Sequence, residues 1–223
     1  MGDRFRPLWD LDDIDGTERR LLAQFDREES DGGRAEALTQ LARVCGLRGR
    51  FAEGEEILER ATVLGGSDAI VAVRLALEGG RLRRSSGDAE VARDLFQSAF
   101  GLAGIAGDQF LAADAAHMAA LAAPDLAGVL EWTRRGLDIA ESSLDPAVSN
   151  WSGSLLNNLG CSYADAGDHE AALDAFQRAL EARLRHPEWP ASIQHARDSV
   201  AEELRALGRD DEARRVSSSG SAG

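Results

Sequence analysis

Glycine and proline residues divide this chain into short segments of similar length, and that spacing limits what it can form. The breakers are Gly32-Gly33, Gly49, Gly65-Gly66, Gly87, Gly107, Pro124, Pro146, Gly167, Pro187, Pro190 and Gly208. The segments between them span roughly 11 to 20 residues, a usual length for a globular helix. Apolar residues recur every three or four positions, as in Leu38, Leu41 and Val44, and no alternation long enough for a sheet appears. The sequence therefore predicts an all-α chain.

One pair of segments, between residues 153 and 186, carries a repeat motif. Its first half reads Leu156-x-x-Leu159-Gly160-x-x-Tyr163, and its second half reads Ala172-x-x-x-Phe176-x-x-Ala179. Small residues at Gly160 and Ala172 let two antiparallel helices cross closely, and Tyr163 and Phe176 fill the space beside them. This spacing resembles the tetratricopeptide repeat, with Leu156 in place of the usual Trp and the closing Pro displaced to Pro187.

Weaker copies of the motif extend the resemblance over most of the chain. The predicted repeats are 35–68, 73–106, 108–141, 153–186 and 194–216, and the third needs a one-residue slip to fit. Residues 1–34 would be an N-terminal segment and capping helix, with Thr17 as N-cap, and 217–223 a flexible tail. The longer spacing, together with the string Leu156-Asn157-Asn158-Leu159-Gly160, resembles the long-helix repeats of kinesin light chains and of many bacterial signalling proteins. The resemblance implies a right-handed superhelical solenoid of about five antiparallel helix pairs.

The charge balance excludes several classes of partner. The formal net charge is −14, and all 25 basic residues are arginines. Such acidity counts against a surface built for nucleic acid or anionic lipid. Cys45 and Cys161 have no metal-site or disulfide spacing, and no signal peptide or membrane span is evident, so we expect a cytoplasmic protein.

The resemblance also implies which residues would face the concave groove, where proteins of this family tend to bind peptides. They are Arg43, Arg74, Leu77, Arg81, Arg84, Asp114, His117 (or Met118), Asn157 and Asn158. Spacings of seven and three place Arg74, Arg81 and Arg84 on one helix face, where they could hold a carboxylate or phosphate. The alternative is a solvated face neutralised by acids such as Glu78, four residues after Arg74.

Asn157 and Asn158 are poor helix formers in the middle of a predicted helix. Their amides could grip the backbone of an extended peptide, since each offers a donor and an acceptor. The alternative is a structural hydrogen bond between adjacent repeats.

No enzyme, cofactor or metal site is predicted, because the four histidines are dispersed and no nucleophile or phosphate-loop motif occurs. The leading hypothesis is a non-enzymatic adaptor that binds a peptide or protein segment in the groove through acidic or C-terminal carboxylate groups. One alternative is a regulatory or sensory module for a small signalling molecule or peptide. The other is a self-associating structural scaffold.

Overall fold

The structure, a computed structural model, describes residues 3–218 with the exception of the Ser218 side chain, and every regular element in that range is helical. The predicted all-α class is confirmed. The chain divides into two compact units, one ending at Ala122 and the other beginning at Ala123. None of the helices described is long and apolar enough to cross a membrane.

The first unit contains a short 3-10 turn, Arg6–Leu8, and six α-helices. They are α1 Ile14–Arg27, α2 Asp31–Leu47, α3 Phe51–Gly65, α4 Ala69–Ser86, α5 Ala89–Ala106 and α6 Gln109–Leu121. Helices α2 and α3 pack as one hairpin and α4 and α5 as the next, and α2 also packs against α4. The hydrophobic core of this unit includes Phe5 from the N-terminal segment, packed with Leu21 and Leu38.

The second unit contains α7 Leu126–Ser142, α8 Pro146–Ser149, α9 Trp151–Asp165, α10 His169–Leu184, α11 Pro190–Ala206 and α12 Asp210–Ser218. Its hairpins are α9 with α10 and α11 with α12, around a core that includes Leu173, Phe176 and Val200. The predicted third repeat, 108–141, spans the division between the units, with α6 in the first and α7 in the second. Residues 217 and 218 of the predicted tail end α12, and residues 219–223 lie outside the described residues.

Aspartates begin many of these helices. Asp68, Asp108 and Asp125 are N-caps, since each carboxylate accepts at least one hydrogen bond from a backbone N–H of the first turn. Before two further caps, Asp88 and Asp168, a glycine with positive φ ends the previous helix. Sharp turns of this kind keep successive helices antiparallel.

The α4–α5 hairpin and the α9–α10 hairpin each cross at a glycine. A Cβ atom added to Gly160 would lie 2.6 Å from the Phe176 ring, and one added to Gly80 would lie 2.5 Å from the Phe96 ring. The close crossing predicted at Gly160, with Phe176 filling the space beside it, is therefore confirmed, and the first unit has an equivalent crossing.

The capping helix differs from its prediction at its start. Helix α1 begins at Ile14, and its N-cap is Asp13, whose carboxylate accepts from the Gly16 N–H. Thr17 is wrong as the cap because its hydroxyl is used elsewhere, bonding both the N–H and the C=O of Asp10 at 2.9 Å. That pair of bonds ties the N-terminal segment to α1.

Candidate functional site

The first helices of the repeats in the first unit share one charged surface. We call it the arginine face and define it by Arg43 on α2, by Arg74, Arg81 and Arg84 on α4, and by Asp114 on α6. On α4 the seven- and three-residue spacings bring the three arginines to one side of the helix. Because α2 and α6 both pack against α4, the face is continuous within this unit.

Arg74 is engaged by carboxylates of the chain itself. Its Nη2 lies 2.6 Å from Asp3 Oδ1 and its Nε lies 2.8 Å from Glu36 Oε2. Burial alone would lower the pKa of Arg74, but the charges and hydrogen bonds of Asp3 and Glu36 outweigh it and raise the pKa. Arg74 is only 4% exposed, and its guanidinium also lies over the Phe5 ring, at 5.1 Å. Arg74 is therefore an anchor for the N-terminal segment.

Arg81 is the centre of a buried ion network. Its Nη1 lies 2.6 Å from Glu78 Oε1 and its Nη2 lies 2.5 Å from Asp114 Oδ1. Gln40 donates to the same Glu78 oxygen at 3.3 Å, while no described residue bonds Glu78 Oε2. Burial works to raise the pKa of Asp114, but Arg81 and then Arg43 outweigh it and lower the pKa, with a smaller contribution from His117. Asp114 is thus held ionised beside Arg81.

Arg43 and Arg84 differ from these two arginines, because no described carboxylate lies within ion-pair distance of either. The Arg43 guanidinium lies over the Trp9 ring, at 4.7 Å. Its burial, followed by the positive charge of Arg81, lowers the pKa of Arg43. Arg84 is exposed near the end of α4. These two cations are the part of the arginine face that can still accept an anion.

A cavity of about 220 Å³ opens beside them. Its lining combines the polar side chains of Arg43, Arg81, Arg84 and Ser85 with the apolar surfaces of Gly46, Leu47, Leu82, Met118 and Leu121. A cavity that joins cationic and apolar walls can hold a side chain and a neighbouring carboxylate together.

Two of the residues predicted to face the groove, Leu77 and His117, are buried or partly buried. Leu77 belongs to the core at 1% exposure, because α4 packs against α2, α3, α5 and α6 and little of its circumference remains open. His117 is partly buried on α6, near Asp114.

In the second unit, Asn157 and Asn158 are half-buried on α9. The Asn157 Oδ1 accepts from the Ser199 hydroxyl of α11 at 3.3 Å, and its Nδ2 lies 3.9 Å from Cys161 Sγ. The bond to Ser199 joins successive repeats, as the structural alternative expects. Contact of Asn157 and Asn158 with a peptide backbone stays a prediction.

Sequence reasoning missed several polar and aromatic side chains that organise the arginine face, among them Glu36, Gln40 and Trp9. The sequence contains a signal for some of these contacts, because the two side chains of each contact are separated by about one repeat. Glu36 and Arg74 are separated by 38 residues, as are Gln40 and Glu78, and Arg81 and Asp114 by 33. Across residues 3–218, no group of three or more His, Cys, Asp or Glu side chains is arranged to hold a metal ion.

Comparison with known families agrees with the motif found in the sequence. The tetratricopeptide repeat family model matches residues 154–183, which cover most of α9 and α10. The predicted resemblance to tetratricopeptide repeat proteins is confirmed. No curated protein has a significant sequence match to the chain.

Solved structures with the same fold extend the likeness to nearly the whole chain. BtubC (BKLC) from P. vanneervenii superposes with a TM-score of 0.68 at 17% identity, over 95% of this chain and 89% of that one. A kinesin light chain-type protein of Podospora anserina with nearly identical TPR-like repeats gives 0.65 at 16% identity, over 87% and 96%. The MamA protein gives 0.50 at 15% identity, over 82% and 90%. At these identities the likeness shows the fold alone, which is that of tetratricopeptide-like repeat proteins.

Proposed function

We propose that this chain, which carries a tetratricopeptide repeat and shares the fold of tetratricopeptide-like repeat proteins, is a non-enzymatic interaction module. It binds a peptide segment of a partner protein on the arginine face of its first unit. The observation that carries this proposal is that the chain's own N-terminal segment already lies on that face as a peptide would.

The N-terminal segment shows what chemistry the face accepts. Asp3 places its carboxylate on Arg74 at 2.6 Å, and the Phe5 ring lies beneath the same guanidinium. Trp9 donates from Nε1 to Gln40 Oε1 at 3.0 Å and receives the Arg43 guanidinium on its ring. Carboxylate and aromatic side chains therefore fit the face, the first through charge-assisted hydrogen bonds and the second through cation–π contact.

The partner peptide binds next to this segment, at Arg84 and the 220 Å³ cavity. Arg84 with Arg43 takes an acidic side chain or a C-terminal carboxylate, and Leu47, Met118 and Leu121 take a neighbouring apolar side chain. Arg81 lines the same cavity, and its ion pairs with Glu78 and Asp114 hold its side chain in place. Arg74 is already satisfied by Asp3 and Glu36, and we assign it to the N-terminal segment.

We also assign the module to the cytoplasm. Both cysteines are free thiols, Cys45 buried and Cys161 exposed, and an exposed free thiol suits a reducing compartment.

The test is fluorescence anisotropy with a labelled peptide of Trp, Leu and Asp that ends in a free carboxylate. A second peptide carries Asn for Asp and a C-terminal amide. We expect the acidic peptide to bind more tightly, and Arg84→Glu to weaken it about tenfold or more, because reversal of a site charge adds repulsion to the lost ion pair.

The matched control is Arg93→Glu, since Arg93 on α5 lies away from the arginine face and has no ion pair among the described residues. Unchanged binding by folded Arg84→Glu, or equal binding of the neutral peptide, rejects the proposed site.

A further inference from the structure

A second groove lies in the first unit, between α1 and α3. Both helices pack against α2, and no Cα atom of α1 lies within 8 Å of a Cα atom of α3. The space between them is a cleft of about 840 Å³ with Leu38 as its floor and Phe25, Val63 and Leu64 among its walls. It continues into a cavity of about 220 Å³ lined by Leu22, Leu41 and Ile57, and Phe25, Leu38 and Arg60 border both.

The groove has the length and the apolar spacing to receive a helix. Along α3 it runs from Glu53 to Leu64, which is about 16 Å at 1.5 Å per residue, or three turns. Three apolar positions follow one another along it: Leu22 with Ile57, then Phe25 with Leu38, then Val63 with Leu64. Val63 is 86% exposed and Leu22 49% exposed, so apolar surface is left in water at both ends.

The rim of this groove is acidic. Asp26, Glu56 and Glu59 are exposed, and no described cation lies within ion-pair distance of any of them. Asp31 has only Arg34, at 4.0 Å, and Arg60 is the remaining basic side chain of the cleft. The rim therefore presents an excess of negative charge over an apolar floor.

We infer that this α1–α3 groove binds a basic amphipathic helix of a partner protein. Such a helix places apolar side chains at i, i+4 and i+7 into the three apolar positions, and its flanking Lys or Arg side chains meet Asp26, Glu56 and Glu59. The inference is independent of the proposed function, because none of these residues belongs to the arginine face.

Charge selects this occupant over the others that an apolar groove could take. A second copy of the chain would bring another net charge of −14 against an acidic rim, and nucleic acid would be repelled in the same way. An extended strand would find no backbone edge to pair with, since α1 and α3 satisfy their backbone groups internally.

The experiment uses the full chain and three labelled 14-residue peptides. The first has Leu at i, i+4, i+7 and i+11 with Lys and Arg on the flanks. The second has the same composition in an order that removes the apolar stripe. The third has Glu in place of every basic residue. We expect saturable anisotropy only with the first, with affinity that falls as salt rises.

Variants locate the site. Glu56→Lys with Glu59→Lys reverses two exposed rim charges and should weaken binding of the first peptide about tenfold or more. The matched control is Glu90→Lys with Asp94→Lys on α5, which makes the same charge change at exposed positions away from the groove. Val63→Asp, which places a carboxylate at the apolar end of the cleft, should weaken binding as well, since it buries a charge beneath the peptide.

Circular dichroism confirms that each variant is folded. No binding of the first peptide at roughly 100 μM overturns the inference. So does equal binding of the second or third peptide, or an effect of the α5 control as large as that of the groove variant. If the basic peptide does not bind the α1–α3 groove, the Arg84 test is unaffected, because that test uses an acidic peptide.

Discussion

The faces formed by the first helices differ in chemistry between the two units. In the first unit, positions about one repeat apart hold opposite charges, as in Glu36 with Arg74 and Arg81 with Asp114. In the second unit the corresponding contact joins two neutral side chains, Asn157 and Ser199. The first face is organised by ions, whereas this contact of the second face is a neutral hydrogen bond of 3.3 Å.

The packing beneath these faces is nevertheless the same. Each unit crosses a helix pair at a glycine covered by a phenylalanine ring, Gly80 with Phe96 and Gly160 with Phe176. The fold therefore does not require the ion network of the first unit. A buried ion pair adds little net stability over apolar packing, yet removing one partner is costly.

The largest expected effect comes from breaking the ion network. Arg81→Met leaves the Glu78 and Asp114 carboxylates buried without their cation, and we expect the free energy of unfolding to fall by about 3–5 kcal/mol. Urea denaturation followed by circular dichroism measures this. The control is Arg134→Met, an exposed arginine whose loss should cost less than about 1 kcal/mol.

If the explanation is right, adding Glu78→Gln and Asp114→Asn to Arg81→Met should restore part of the lost stability. A triple variant less stable than Arg81→Met would contradict it.

A smaller loss of unfolding free energy is expected at low pH, where the ion pair of Asp114 is weakened. Since Arg81 and Arg43 hold the pKa of Asp114 below its ordinary value of 3.8, its ion pair stabilises the fold above that pH. The contribution is lost as the pH falls below 3.8 and the carboxylate takes up a proton. The measurement is the unfolding free energy at pH 6 and pH 3, which should change less in Asp114→Asn than in the natural chain. If the unfolding free energy changes equally in the two proteins, Asp114 does not contribute to the pH dependence of stability.

The glycine crossings should respond alike in both units. Gly80→Ala and Gly160→Ala each press a methyl group into a phenylalanine ring, at a cost of about 1–3 kcal/mol by thermal denaturation. Gly101→Ala on α5 is the control, because its Cβ would meet nothing within 4 Å and helix propensity should then stabilise the chain by up to about 1 kcal/mol. A clear difference between the two crossings would show that the units do not pack equivalently.

The smallest effect is expected on the neutral face. Asn157→Ala removes the acceptor for Ser199, whose hydroxyl still donates to the His195 carbonyl at 3.1 Å. We expect a loss below about 1 kcal/mol in the same urea experiment. A loss as large as that of Arg81→Met would mean that the two faces are equally sensitive and that the contrast between them is wrong.

The sequence was sufficient where periodicity decides the structure. The repeat predicted at residues 153–186, which the family model matches at 154–183, follows from local spacing, as does the shared helix face of Arg74, Arg81 and Arg84. The partners of ion pairs do not follow from local spacing. The four-residue spacing predicts that Glu78 neutralises Arg74, but in the structure Glu78 pairs with Arg81, because side-chain packing selects between neighbouring turns.

Asp3 is the harder case. It lies 71 residues from Arg74 and belongs to an irregular segment with no period, so no spacing rule could place it on the arginine face. The same holds for the Trp9 ring beneath Arg43.

The position of Asp3 on Arg74 offers a practical route to weak ligands. A peptide fused ahead of Asp3 would begin on α4, ten residues or about 15 Å from Arg84. A linker of roughly five or six residues covers that distance and gives the tethered peptide a local concentration in the millimolar range. Sequences too weak to be detected as separate molecules could then be ranked by how much they raise the melting temperature of a single fused chain.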